Sequence, residues 1–145
     1  MGRALGIVWI VFALVGGIAL GASQIIGLEE DGLSFLLGSS FPVLTNIVYT
    51  LATALTYWLI IKASRSAAPI VLGWIHLLLA GAGTGAFIAG NLARNAALNG
   101  EVDFAVVGAI YGVGSLSQLV GGLLFLIALT VAISTGRKRP AQEDF

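Results

Sequence analysis

His76 is the single histidine of the chain. It is the only side chain inside a long apolar stretch that can ligate a metal or change charge near neutral pH. At about 100° per residue it shares a helical stripe with Gly73, Ala80, Gly83 and Phe87, a mostly small-residue face suited to protein contact rather than lipid. Two chemistries fit such a residue. A neutral imidazole beside small residues could ligate a haem iron or a chlorophyll magnesium axially, because a planar macrocycle needs a low-profile helix surface. The same ring could instead bond a neighbouring helix through a carbonyl, a hydroxyl or an amide. With no second histidine, bis-histidine ligation would require another chain.

A second set of polar residues falls at similar depth near one end of successive apolar stretches. Gln24, Asn46 and Asn91, with Ser23, Thr45 and Tyr111, could form an outer polar cluster. As a ligand site it would suit a quinone headgroup or another small molecule. As structure it would provide interfacial solvation and interhelical hydrogen bonds. Gln118, flanked by Ser115 and Ser117, lies deeper and reads as a residue that joins helices.

Other chemistries lack their residues. Without cysteine there is no disulfide, thiolate metal site or thiol redox chemistry. No acidic residue lies within an apolar block, which argues against a carboxylate proton relay. Basic residues cluster only at Arg137-Lys138-Arg139, too little for a nucleic-acid footprint. The glycine-rich stretch 81–90 follows no strand, so it is not a phosphate loop. With no nucleophile and base at a useful spacing, catalysis by this chain alone is not expected.

These residues are carried by a chain of 145 residues that is 58% hydrophobic and 10% charged. Soluble domains carry about 25% charged residues, so this composition cannot cover a surface in water. Residues 4–28, 32–61, 66–93 and 104–136 contain no charge, and each block exceeds the roughly 20 apolar residues that cross a bilayer as a helix. The expected fold is an all-α polytopic membrane protein with four transmembrane helices in an up-down bundle, spanning about 5–28, 42–61, 69–92 and 104–134. Glu29-Glu30-Asp31 ends the first span. Residues 32–41 are expected to form an interfacial loop before Pro42 opens the second span in its favoured first turn. Residues 95–103 form the next loop, and 137–145 a charged tail. Tyr57 and Trp58 fit an aromatic belt at the membrane boundary.

Arg3, Lys62, Arg65, Arg137, Lys138 and Arg139 fall on one side of these spans and only Arg94 on the other. Basic residues stay on the cytoplasmic side, so both termini are expected in the cytoplasm, and the location is a membrane of the bacterial inner (plasma) type.

Twenty glycines in such helices imply close backbone approach. Gly17 and Gly21, Gly81 and Gly85, and Gly108 and Gly112 are each four apart, the spacing of a small-residue packing face. Glycine on more than one face of a helix favours partners outside the chain. Trp9-Ile10 with its following glycines also echoes Trp74-Ile75 and the glycines after it.

The stretch Val113-Gly114-Ser115-Leu116-Ser117-Gln118-Leu119-Val120-Gly121-Gly122-Leu123-Leu124-Phe125-Leu126 resembles the last core helix of haem-copper oxidase subunit I. The preceding span, with Trp74, His76 and the exit Gly90-Asn91-Leu92-Ala93-Arg94, is similar to that family's penultimate helix. The resemblance covers residues 72–133. The histidines that hold the family's two haems and copper have no counterpart here, so no catalytic residue carries over. What the resemblance implies is a non-catalytic relative or an accessory chain beside a respiratory core.

Three functions follow. The first is a non-catalytic accessory or structural subunit of a membrane energy-converting complex, respiratory or photosynthetic, packed among lipids and other membrane subunits. The second is a small transporter or channel acting as an oligomer, with the outer polar cluster as its entrance. The third is an electron-transfer protein holding haem or chlorophyll on His76.

Overall fold

A computed structural model describes residues 2–25, 32–64 and 66–136, with side-chain surroundings for 4–24, 47–62, 64 and 66–136. The acidic cluster Glu29-Glu30-Asp31 and the tail 137–145 lie outside the described residues, as do the side chains of Thr45 and Asn46.

The described residues form four helices: α1 (Gly2–Ile25), α2 (Gly32–Ala63), α3 (Ala68–Leu98) and α4 (Phe104–Gly136). In hydrocarbon every backbone N–H and C=O must be paired within the chain, and a helix does this without a neighbour. Ala4–Gln24 of α1, together with α3 and α4, is long and apolar enough to cross a membrane, and the described part of α2, Ile47–Lys62, is apolar as well. Side chains such as Ile18 and Leu78, 71% and 73% exposed, face outward, where lipid rather than water is their natural neighbour.

Two boundaries differ from those expected. The second helix begins at Gly32, so the expected loop 32–41 is helical and Pro42 lies inside the helix. The run from Leu33 to Phe41 is apolar enough to continue the helix, and the missing proline N–H removes one rung of the ladder without ending it. The third helix passes Leu92 and runs to Leu98. It stops where Gly100 takes φ +78. Gly100 N–H then donates to the Ala97 carbonyl at 3.1 Å and Glu101 N–H to that of Ala96 at 2.9 Å, a left-handed glycine cap. The Asp103 carboxylate accepts from Ala105 N–H at 2.9 Å to start α4.

Side-chain contacts give the directions of packing. Trp9 stacks on Tyr57 and Gly17 meets Ile47, so α1 and α2 are antiparallel. Gly90 lies under Tyr111, Gly83 under Gln118 and Gly121 against His76, so α3 and α4 are antiparallel as well. Leu5 meets Gly73, Gly16 meets Thr84 and Ser23 bonds Asn91, so α1 and α3 run parallel. The two hairpins are joined chiefly through this parallel pair. α2 touches α3 and α4 at only a few positions, and among the described residues the backbones of α1 and α4 do not approach.

The buried residues of α4 include Val107, Gly114, Gly121 and Ala128, one every seventh position. Those of α3 include Pro69, His76, Gly83, Gly90 and Ala97, with the same period. A seven-residue repeat keeps one narrow seam facing a partner helix. Here the seam is built from small residues: a Cβ at Gly114 would stand 3.2 Å from the Gly83 carbonyl oxygen.

Candidate functional site

Among the described residues, His76 is a fully enclosed polar group. Its ring is fully buried, as are those of Trp9 and Tyr57. All four helices contribute rings to this cluster: Trp9 and, edge-on to it, Phe12 from α1, Tyr57 from α2, His76 from α3 and Phe125 from α4. Trp9 approaches His76 edge-on with centroids 4.8 Å apart, Phe125 lies 6.0 Å from it, and Tyr57 packs edge-on against Phe125 at 5.4 Å. Leu5, Ala54, Leu77, Ala80 and Ala128 complete the core around them.

The Tyr57 Oη lies 3.2 Å from His76 Nδ1. If the phenol O–H donates to Nδ1, the neutral imidazole keeps its proton on Nε2, and only that N–H lacks a partner. If Nδ1–H donated instead, both the phenol proton and the Nε2 lone pair would be left without one. The first arrangement leaves fewer orphaned groups and is the tautomer the geometry favours. His76 Nε2 and Trp9 Nε1 are both buried without a hydrogen-bond partner.

The stripe Gly73, His76, Ala80 and Gly83 is buried, with Phe87 half-buried beside it, so it faces protein as the periodicity predicted. It does not present His76 to a macrocycle. A Cβ added at Gly121 would already stand 2.7 Å from His76 Cδ2 and 3.2 Å from Nε2. A haem or chlorophyll on Nε2 would have to part α3 from α4, so the packing does not fit the cofactor role considered for His76. The interhelical hydrogen bond, the other role, is the one the ring performs. Among the described residues no group of three or more histidine, aspartate or glutamate side chains is placed to hold a metal.

No known protein family, curated protein or solved structure matches the chain.

At the other end of the bundle, part of the expected polar cluster comes together. Tyr111 O–H donates to Asn91 Oδ1 at 2.6 Å, Asn91 Nδ2–H donates to Ser23 Oγ at 2.9 Å, and Ser23 O–H donates to the Leu20 carbonyl at 2.7 Å. This chain links α4 to α3 to α1 and uses each group as donor or acceptor. Gln24 is half-buried on α1 and takes no part in it. Gly90 makes the arrangement possible: a Cβ there would stand 2.7 Å from Tyr111 Cε1. Gln118, over Gly83, donates to the Ala80 carbonyl at 3.3 Å, which joins α4 to α3 as expected.

The glycine pairs differ in what they meet within the chain. Gly17 does pack, against Ile47, but Gly81 meets only the Phe12 ring at 3.9 Å. Gly85, Gly108 and Gly112 have no atom within 4 Å of an added Cβ. The seam between α3 and α4 uses Gly83, Gly90, Gly114 and Gly121, because a seven-residue repeat selects different positions from a four-residue one. Tyr57 is also not part of an aromatic belt. It faces the core, whereas Trp58 is 42% exposed. Neighbours in a helix point about 100° apart, and the stripe Thr50, Thr53, Ala54, Tyr57 and Ile60, all buried, is the signal that places Tyr57 inside.

Proposed function

We infer that this protein is a non-catalytic accessory subunit of a membrane energy-converting assembly, holding its place through small-residue helix faces. The observation that carries this reading is the outward position of Gly85, Gly108 and Gly112, where an added Cβ would meet nothing within 4 Å. Glycine in a helix is about 1 kcal/mol less favourable than alanine in water, and these three gain no compensating contact among the described residues. Close approach by a helix of another subunit would use them. The energy-converting class comes from the resemblance of residues 72–133 to haem-copper oxidase helices. The distribution of basic residues supports a bacterial-type inner membrane with both termini in the cytoplasm.

Isolation from its native membrane in mild detergent tests the reading. The expected result is a larger assembly of membrane proteins, from which Gly108→Leu with Gly112→Leu is lost while the variant chain stays folded. A lone monomer in mild detergent would overturn it, as would an assembly indifferent to both substitutions.

A further inference from the structure

The outer side of the α1/α2 hairpin carries a groove of about 450 Å³ lined by Gly6, Ile7, Ile10, Leu51, Leu55 and Trp58, with Ala54 in its wall. Ligand sites span about 300–1,000 Å³, so its size is that of a site. Every lining side chain is apolar, and Gly6 leaves room beside the indole: a Cβ there would lie 3.8 Å from Trp58 Cδ1. The groove lies alongside the apolar stretches Ala4–Gln24 and Ile47–Lys62, so what fills it is apolar and elongated.

Its mouth is charged. Lys62, one turn beyond Trp58, holds its ammonium 3.6 Å from the centre of the indole ring. The described carboxylates, Glu101 and Asp103, follow the C-terminus of α3, at the other end of the bundle from Lys62, so none neutralises it. An aliphatic slot that ends in an aromatic face and an ammonium that no described carboxylate neutralises, near the end of a membrane helix, complements one class of molecule. We propose that the groove is a binding site for an anionic phospholipid, with an acyl chain between α1 and α2 and the phosphate against Lys62.

Native mass spectrometry of the purified full chain, titrated separately with phosphatidylglycerol and phosphatidylcholine in detergent, tests this. Phosphatidylglycerol is expected to bind about fivefold more tightly, the factor one basic residue contributes at an anionic surface. Lys62→Gln should abolish that preference and Lys62→Arg should keep it. Gly6→Leu, whose side chain would occupy the slot, should weaken both lipids. Equal affinity of the wild type for the two lipids would overturn the proposal. So would a preference that survives Lys62→Gln, or lipid retention unaffected by Gly6→Leu, the result expected if a partner helix rather than a lipid fills the groove.

Discussion

The Tyr57 hydroxyl and the His76 imidazole lie 3.2 Å apart across the boundary between α2 and α3, so the only histidine of the chain is committed to a neighbouring helix.

Tyr57→Phe removes that bond and keeps the ring. It is expected to lower stability by about 1 kcal/mol, the usual range for an interhelical hydrogen bond in a membrane. His76→Ala also opens a cavity among Trp9, Tyr57 and Phe125, and should cost about 2 to 5 kcal/mol. Reversible unfolding in mixed micelles would measure both. The double variant should lose less than the sum of the two singles, because they share the bond.

Gly121→Ala would place a methyl 2.7 Å from His76 Cδ2. Overpacking of this kind costs about 1 to 3 kcal/mol. The same change at Gly108 or Gly112 meets open space and should leave the stability of the isolated chain unchanged or raise it by up to about 1 kcal/mol. Equal effects at the two kinds of site would contradict the seam described for α3 and α4.

Asn91→Ala would leave the Tyr111 hydroxyl without its acceptor and remove the donor to Ser23. Its cost should exceed that of Tyr111→Phe, which breaks one bond of the same chain, by about 0.6 to 2 kcal/mol. The same unfolding assay resolves the difference.

The natural chain has no cysteine, so single introduced thiols report position directly. Ser66→Cys, between α2 and α3, is expected to react with an impermeant maleimide only from the cytoplasmic side. Asn99→Cys, at the exposed end of α3, should react only from the opposite side. The reverse pattern would invert the orientation.

The number of helices was legible in the charge-free blocks, because a charge inside hydrocarbon is costly enough to punctuate the sequence. Which residues face one another was less so. In a lipid-facing helix such as α4, apolar side chains point both inward and outward, so hydrophobicity does not mark the buried face, and only the spacing of Val107, Gly114, Gly121 and Ala128 does. Glycines four apart, such as Gly108 and Gly112, do not mark this seam, because they face away from it. The start of α2 was obscured by Pro42, a residue that more often opens a helix than sits within one. His76 was found at once, being alone of its kind. Its partner Tyr57 was missed because Trp58 beside it suits the membrane boundary.

The hydrogen bonds divide by hairpin in a way that orders assembly. Gln118 to Ala80 and Tyr111 to Asn91 both close within α3/α4, whereas Tyr57 with His76 and Asn91 to Ser23 close only when α1/α2 arrives. Helices that insert separately and associate afterwards would let the second hairpin enter the bilayer with most of its polar groups already satisfied. Three polar clasps among the described residues, at Ser23, at Tyr57 and where Ser64 Oγ meets Thr135 Oγ1 at 3.3 Å, would then remain to select its mate.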